Sequence, residues 1–200
     1  MKALRVIAGT AKGRSLTAVP GKNTRPTTDK VKEAIFSMIG PYFDGGLALD
    51  LFAGTGGLGI EALSRGADSA IFIDLEGISI EVIKQNLQTA GMVDRAEIYR
   101  ADAIRAVKAL AKRNLKFTLV FLDPPYRMKD MDELMMELAV KDLLNEGATV
   151  VVEHDADHQY PDAFASYRQI RHTHYGDTAV TIYRFETVDE QDVNEDVRSD

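Results

Sequence analysis

The sequence predicts a doubly wound α/β fold, with a mostly parallel sheet that ends in an antiparallel edge hairpin. Between residues 47 and 153, short runs rich in Val, Ile, Leu and Phe alternate with segments of helical periodicity. Strands of this composition, separated by helices, are typical of a parallel sheet that is covered on both faces. Two more strand-like runs then follow with only Tyr175-Gly176-Asp177 between them, which indicates a hairpin.

The composition is that of one globular domain of 200 residues, 45% apolar and 28% charged. There is no cysteine, which excludes disulfides, thiolate zinc sites and cysteine nucleophiles. No apolar run is long enough to span a membrane and the N-terminus lacks a secretory signal, so we expect a cytoplasmic protein with no membrane partner. We expect residues 1–185 to form a single domain and the acidic segment 186–200 to be a disordered tail.

The first 40 residues form a basic extension that precedes the core region, residues 41–185. This extension contains eight basic and two acidic side chains, although the whole chain has a net charge of -7. Such a local basic patch favours binding to phosphates, and a merely solvated basic face is the alternative. Residues 4–8 and 15–19 are strand-like and predict a small hairpin. Thr28 can cap a helix that continues to Ile39 and stops at Gly40-Pro41.

The remaining elements follow from hydrophobic periodicity and from chain-breaking residues. Predicted strands cover residues 47–51, 70–74, 97–100, 117–122, 148–153, 167–173 and 178–185. Predicted helices cover residues 57–65, 78–90, 103–113 and 130–140. His172 and His174 share one face of a predicted strand, and we interpret them as surface or structural residues rather than metal ligands.

A glycine-rich turn follows the first buried strand and opens the next helix. Gly54, Gly56 and Gly59 match the pattern G-x-G-x-x-G, in which the missing side chains let a ligand approach the backbone at the carboxyl end of a strand. The pattern alone fits an NAD-dependent dehydrogenase as well as a methyltransferase, and it also fits a tight packing turn without a ligand.

Three acidic residues at successive strand ends narrow the choice of cofactor. Asp74 lies 20 residues after Gly54 and can accept hydrogen bonds from two ribose hydroxyls. Asp102 could accept a hydrogen bond from an adenine amino group, while the Asp102-Ala103 backbone contacts the ring edge. Asp50, at the entrance of the glycine-rich turn, favours a cationic ligand, so S-adenosylmethionine fits better than NAD.

The most specific motif is Asp123-Pro124-Pro125-Tyr126, which ends a predicted buried strand. Two prolines cannot continue a central strand, so the motif predicts a stiff turn. The Asp123 carboxylate and the Pro124 carbonyl can hold the two hydrogens of an exocyclic amine, and Tyr126 can stack on its ring. We therefore predict direct methyl transfer to a planar amine without a covalent enzyme intermediate or a metal. A rigid proline turn with an aromatic plug is the alternative.

The chain resembles the class I methyltransferases and, more closely, the RsmD-like 16S rRNA guanine-N2 methyltransferases, over roughly residues 4–185. The glycine-rich motif and the Asp-Pro-Pro-Tyr motif carry the broader resemblance. The narrower one rests on Arg5-Val6-Ile7-Ala8-Gly9 with Lys12-Gly13-Arg14, on Arg25-Pro26-Thr27-Thr28-Asp29 and on Tyr175-Gly176-Asp177-Thr178.

The resemblance implies a Rossmann-like enzyme that binds S-adenosylmethionine and methylates a guanine N2 of 16S rRNA, in the 30S ribosomal subunit or an assembly intermediate. The implied cofactor contacts are Asp50, Phe52, Ala53, Gly54, Thr55, Gly56, Asp74, Asp102, Ala103 and Thr28. Catalytic positioning is implied for Asp123, Pro124, Pro125 and Tyr126, and RNA binding for Arg5, Lys12, Arg14 and Arg25. We expect the protein to act as a monomer.

Two features depart from the family pattern. Family members often have Glu where this chain has Asp74, which changes the ribose geometry but not the expected role, and the acidic tail falls outside the shared pattern. Three other classes remain open: an adenine-N6 methyltransferase of DNA or RNA, an NAD-dependent oxidoreductase, and a catalytically silent RNA-binding or assembly factor.

Overall fold

The computed structural model describes residues 4–21, 29–125, 128 and 131–187, which form a hairpin and an eight-stranded sheet with helices on both faces. The hairpin strands are β1 (Leu4–Arg5) and β2 (Ser15–Leu16). The sheet strands are β3 (Leu47–Leu51), β4 (Ser69–Asp74), β5 (Ala96–Arg100), β6 (Phe117–Leu122), β7 (Leu144–Asp155), β8 (Ala163–Phe164), β9 (Tyr167–Tyr175) and β10 (Thr178–Phe185). The helices are α1 (Asp29–Ile39), α2 (Gly57–Ser64), α3 (Gly77–Ala90), α4 (Ala103–Leu110) and α5 (Met131–Val140).

The sheet is doubly wound and mixed, which confirms the predicted fold class. Its strand order is β5-β4-β3-β6-β7-β10-β9-β8. The strands from β5 to β7 pair in parallel, whereas β10, β9 and β8 pair antiparallel at one edge. Parallel strands need a crossover connection, and α2 to α5 supply the helices for those crossovers.

Two apolar layers cover the sheet because successive side chains of a strand point to opposite faces. On one face, α1, α2 and α3 pack on the sheet through residues such as Ile60, which belongs to the same cluster as Phe72 of β4. On the other face, α4 and α5 pack through residues such as Val107, in the same cluster as Leu49 of β3. The central strands are therefore buried on both sides, as their nearly continuous apolar sequences predict.

The strand order reverses between β3 and β6, and this reversal decides where a ligand can bind. From β3 the chain continues outward through β4 and β5, and then crosses to β6 and β7 on the other side. Open α/β sheets bind ligands at the carboxyl ends of the strands at such a reversal. The turns that follow β3 and β6 thus lie next to each other at one edge, which we call the rim: the carboxyl ends of the parallel strands.

The N-terminal hairpin is shorter than predicted because side chains of the core take its backbone amides. The amides of Ile7 and Ala8 donate to the Glu61 carboxylate at 2.9 and 3.0 Å, and the amide of Thr17 donates to Asn86 Oδ1 at 2.7 Å. The paired strands cover only Leu4–Arg5 and Ser15–Leu16, and the hairpin bonds continue one residue further, where the Val6 amide donates to Arg14 O at 3.0 Å, before Glu61 takes the next two amides.

Smaller differences occur elsewhere. β7 extends beyond the predicted residues 148–153 at both ends, because β6 pairs with it at Leu144 and β10 pairs with it up to Asp155. The short edge strand β8 was not predicted. α4 ends at Leu110, and a 3-10 turn over residues 111–113 leads to Asn114 in the left-handed region. The predicted Thr28 cap and residues 188–200 of the predicted tail lie outside the described residues. None of the described helices combines the length and the apolar character that crossing a membrane requires.

Candidate active site

The glycine turn, residues 52–56 between β3 and α2, has the backbone of a ligand-binding turn. Phe52, Gly54 and Gly56 have φ angles of 65, 56 and 77°, in the left-handed region that favours glycine. The turn is closed by the Ala53 amide, which donates to Ile73 O at 2.8 Å, and by the Gly56 amide, which donates to Ala53 O at 2.7 Å. A Cβ atom built on Gly54 would meet no described atom closer than Phe52 O at 3.9 Å, so the space beside Gly54 is open to a ligand.

Asp74, the last residue of β4, fastens the glycine turn to the neighbouring strand. Its side chain is buried, its Oδ2 accepts from the Gly54 amide at 2.8 Å, and its Oδ1 accepts from the Glu76 amide at 2.8 Å. Each carboxylate oxygen has a second lone pair, so acceptor capacity for two hydroxyl groups remains. The short Asp side chain thus holds the backbone and can still bind a ribose.

Asp50 lies beneath the glycine turn and is 1% exposed. Its Oδ2 accepts from the Gly59 amide at 3.0 Å, while Oδ1 is buried without a hydrogen-bond partner among the described residues. Burial raises the pKa of Asp50 to about 8, the nearby Asp74 adds to this rise, and the Gly59 hydrogen bond opposes it. The sequence interpretation of Asp50 as a partner for a cationic ligand stays a prediction: a cation beside this carboxyl would lower its pKa and favour the ionised form.

Asp102 and Leu75 extend the rim on the far side of Asp74. Asp102 caps α4, because its Oδ1 accepts from the Ile104 and Arg105 amides at 3.1 and 3.2 Å. Its second oxygen makes neither of these capping bonds. Ala103 begins α4, so its amide is one of the first-turn donors without a partner inside the helix. Leu75, which we did not predict, is 59% exposed directly after Asp74 and offers an apolar surface to a flat ring.

The Asp123-Pro124-Pro125 turn lies at the end of β6, the strand next to β3. Its bend is closed by the Met128 amide, which donates to Pro125 O at 2.8 Å. The turn borders an open pocket whose lining residues are Asp123, Pro124, Pro125, Met128, Glu153, His154, Asp155, His158 and Tyr160. The two predicted motifs therefore share the rim, while Tyr126 lies outside the described residues.

Asn86 of α3 joins the glycine turn to the N-terminal extension. Its side chain is fully buried, and its amide nitrogen donates to Thr17 O and Thr55 O, both at 2.9 Å. Its amide oxygen accepts from the Thr17 backbone at 2.7 Å. A buried Asn on the apolar face of a predicted helix is the signal that could have identified this residue, because a buried amide needs hydrogen-bond partners.

Glu61 of α2 fastens the rest of the extension. Its buried carboxylate accepts from the Ile7 and Ala8 amides and pairs with Arg65 at 2.8 Å and with Lys32 at 3.4 Å. Lys32 is one of the eight basic side chains of the first 40 residues, yet it is 1% exposed. Burial lowers the pKa of Lys32, and Glu61 opposes that shift. Lys32 is therefore a buried partner of Glu61 and adds nothing to an exposed basic surface.

The predicted RNA-binding residues do not all lie near the rim. Arg5 is exposed and pairs with Asp29 at 3.0 Å. Lys12 and Arg14 are exposed in the hairpin loop, and the Arg14 guanidinium donates to Thr89 O at 3.3 Å. Thr89 is twelve residues beyond the start of α3 at the rim, which corresponds to about 18 Å along the helix. Lys12 and Arg14 thus lie far from the rim, and Arg25 lies outside the described residues.

His154, His172 and His174 form an oriented hydrogen-bonded chain that starts at the pocket, where His154 is a lining residue. His154 Nδ1 lies 2.9 Å from Asp155 O, which can only accept, so this nitrogen carries the proton. In the neutral ring, His154 Nε2 then accepts from Thr181 Oγ1 at 2.8 Å, which in turn accepts from His172 Nδ1 at 2.8 Å. His174 Nε2 lies 3.1 Å from His172 Nε2. Burial lowers the pKa of His154, in keeping with a structural, uncharged ring.

A doubly wound sheet with a glycine turn on one strand and an acidic-proline turn on its neighbour defines a Rossmann-like methyltransferase, and solved structures support this class. The structure described as "Putative methyltransferase yhhF from Escherichia coli" has 32% identity and a TM-score of 0.79, over 93% of this chain and 99% of that one. An RNA methyltransferase from Salinibacter ruber, in complex with S-adenosyl-L-homocysteine, has the same fold at 20% identity with a TM-score of 0.61, over 85% and 99% of the two chains.

A family model described as Conserved hypothetical protein 95 matches residues 4–184, and the chain belongs to this family. The Bacillus subtilis protein named "Putative rRNA methyltransferase YlbH" is 50% identical over 90% of this chain and 98% of its own length. The Escherichia coli protein named Ribosomal RNA small subunit methyltransferase D is 31% identical over 96% of this chain and 94% of its own length. The family resemblance predicted from the motifs is thereby confirmed.

Proposed function

We propose that this protein transfers a methyl group from S-adenosylmethionine to the exocyclic N2 amine of a guanine in 16S rRNA, within the small ribosomal subunit or an assembly intermediate, and that it acts as a monomer. One observation carries the proposal: the glycine turn and the Asp123-Pro124-Pro125 turn end neighbouring parallel strands and face one rim. The names of the Bacillus subtilis and Escherichia coli relatives support rRNA as the substrate.

The β3 side of the rim fits S-adenosylmethionine. Gly54 leaves open space, Asp50 has a buried oxygen that can accept from a cationic group, and Asp74 retains acceptor capacity for ribose hydroxyls. Asp102 is assigned to the adenine amino group. The remaining assigned cofactor contacts are Phe52, Ala53, Thr55, Gly56, Ala103 and Thr28. When bound, S-adenosylmethionine supplies a methyl group that is activated by a positively charged sulfur.

The β6 side of the rim positions the accepting amine. The Asp123 carboxylate and the Pro124 carbonyl accept the two amine hydrogens, which turns the nitrogen lone pair out of conjugation and toward the methyl group. The nitrogen becomes positive as the new bond forms, so the negative charge of Asp123 stabilises the transition state more than the ground state. Asp123 is also placed to take the proton that the methylated nitrogen must lose. Pro125 stiffens the turn, and Tyr126 stacks on the base.

The basic extension holds the RNA backbone. Arg5, Lys12, Arg14 and Arg25 supply charges that can displace counterions from phosphates. Because Arg14 reaches Thr89, about 18 Å along α3 from its rim end, and Lys12 lies in the same hairpin loop, the two contact RNA that flanks the target base rather than the base itself. An unpaired guanine in a loop is the favoured target, since it need not be extracted from a duplex.

The catalytic assignment is tested with Asp123→Ala. We expect kcat on small ribosomal subunits to fall by about 100-fold or more, because a positioned charge that acts in the transition state is lost. The affinity for S-adenosylmethionine, measured by calorimetry, should stay within a few-fold of wild type. Asp157→Ala, an exposed acidic residue outside the pocket lining, is the matched control. Equal losses in kcat and in cofactor affinity would mean that the turn is only structural.

The substrate assignment is tested by mass-spectrometric mapping of rRNA from cells with and without the gene. We expect one N2-methylguanosine in 16S rRNA to disappear on deletion and to return with the wild-type gene, but not with Asp123→Ala. Loss of an N6-methyladenosine instead would identify an adenine methyltransferase.

A further inference from the structure

Glu153 is a second acidic side chain in the pocket at Asp123. It follows Val152 on β7, and Val152 pairs in register with Leu122, the residue before Asp123. Both carboxyl-bearing residues line the same pocket, and Glu153 is partly buried. The two therefore extend from equivalent positions of neighbouring parallel strands.

The two strands bring these side chains to the same pocket. Phe121 and Val151 belong to the apolar cluster under α1, α2 and α3, whereas Leu122 and Val152 belong to the cluster under α4 and α5. Glu153 lies within β7 and continues that alternation toward the first face, while Asp123 directly follows the last residue of β6, and both line the same pocket. Neighbouring strands are about 4.8 Å apart, so the two side chains start from adjacent backbone positions and can converge on neighbouring groups of one base edge.

This side of the pocket presents groups that accept hydrogen bonds. The Asp123 and Glu153 carboxylates have no proton to donate when ionised, and a proline carbonyl can only accept. A base edge fits such a surface only if its successive groups are donors. In guanine the N2 amine is next to the ring N1–H, so three N–H donors follow one another. In adenine and cytosine the exocyclic amine is next to a ring nitrogen that accepts hydrogen bonds. This nitrogen would face an acceptor of the pocket, which is unfavourable.

We propose that Glu153 selects guanine by accepting a hydrogen bond from the ring N1–H, while Asp123 and Pro124 hold the N2 amine. Glu153 is thus a specificity-determining residue of the same site, and its role rests on the proposed function. A pocket that hydrogen-bonds a substrate N–H rejects an analogue without it, because that hydrogen bond is lost and an acceptor of the base faces an acceptor of the pocket.

The test compares guanine with 2-aminopurine, which keeps the amine at C2 but has an accepting N1. Small subunits are reconstituted with 16S rRNA that carries either base at the mapped target position, and kcat/KM is measured for each. We expect wild type to prefer guanine by at least about 100-fold. Glu153→Ala should reduce this preference to within about 10-fold, mainly by slowing the reaction on guanine. Glu153→Gln should raise the rate on 2-aminopurine, because its amide can donate to the accepting N1.

The ratio of kcat/KM for guanine to kcat/KM for 2-aminopurine is compared between variants. Any difference in the intrinsic reactivity of the two bases is the same for every variant and therefore cancels. Asp157→Asn is the matched control and should keep the wild-type preference. Unchanged affinity for S-adenosylmethionine in the Glu153 variants shows that the fold and the cofactor site are intact. A wild-type preference retained in both Glu153 variants would overturn the role of Glu153 and leave the methyltransferase assignment standing. Absence of methylation on both bases by wild type would overturn the two together.

Discussion

At the scale of single residues, Asp50 links the pH dependence of folding to a protonation inside the core. The folded protein holds the Asp50 proton up to about pH 8, because burial raises the pKa from its ordinary value of 3.8. The unfolded chain releases that proton at the ordinary value. Between these two pH values the folded state binds more protons than the unfolded state, so the free energy of unfolding falls as the pH rises, by up to about 1.4 kcal/mol per pH unit from this group.

Asp50→Asn should remove this slope. Urea unfolding is measured at about pH 5.5 and at about pH 7.5. Between these two pH values, we expect the free energy of unfolding to fall by roughly 1–3 kcal/mol more in wild type than in the variant. The asparagine can still accept from the Gly59 amide, so its fold should persist. Parallel pH curves for the two proteins would contradict a protonated Asp50 in the core.

The same carboxyl should make cofactor binding depend on pH. Pairing with a cationic group requires Asp50 to be ionised, so the affinity of wild type for S-adenosylmethionine should rise as the pH approaches about 8. Asp50→Asn cannot ionise, and we expect its affinity to be about 10-fold weaker and to vary less with pH, as measured by calorimetry. An Asp50→Asn variant that binds as tightly as wild type at pH 8 would remove Asp50 from the cofactor site.

At the scale of elements, Asn86 makes α3 the connection between the hairpin segment and the glycine turn. Asn86→Ala would leave the Thr17 amide and the Thr17 and Thr55 carbonyl groups without their partner. We expect the free energy of unfolding to fall by about 2–4 kcal/mol and the affinity for S-adenosylmethionine to fall as well. Gln85→Ala, on the exposed side of the same helix, is the control and should be close to neutral. A stability loss without any change in cofactor affinity would separate Asn86 from the site.

The hairpin loop should act on substrate binding alone. Lys12→Ala combined with Arg14→Ala should raise the Kd for small subunits and reduce the slope of log K against log salt by about 1.5, since each phosphate contact contributes about 0.7–0.9. Because both residues lie far from the rim, kcat at saturation should not change. Lys108→Ala with Lys112→Ala, on the opposite side of the sheet, is the charge-matched control. An unchanged salt slope would exclude the hairpin loop from the RNA interface.

The element boundaries of the core could be predicted from the sequence because the apolar pattern of a buried element begins and ends with that element. β3, for example, has the predicted bounds, and α1 ends at the predicted Ile39. The ends of the hairpin strands could not be predicted in the same way. These strands end where Glu61 and Asn86, more than 50 residues away, bind the hairpin amides, and local alternation carries no information about such distant partners.

At the scale of the whole molecule, the adjacency of the two motif turns could be inferred because strand order and connection rules bring them to one edge. The protonation of Asp50 and the burial of Lys32 could not, because both depend on what the folded chain packs around them. Glu153 was missed for a related reason. It belongs to no local motif, and only the pairing of β6 with β7 places it beside Asp123.

The Asn86 side chain has one consequence for how the molecule can be divided. Its side-chain amide donates to the backbone after β2 and to Thr55 of the glycine turn, so removing the hairpin segment would also break a contact that holds this turn. A truncated chain that begins after the hairpin loses basic surface and, in the same step, the Thr17 backbone that shares the Asn86 side chain with Thr55 of the glycine turn. To test RNA binding separately from cofactor binding, point substitutions should therefore be made on the outer side of the hairpin in the full-length chain.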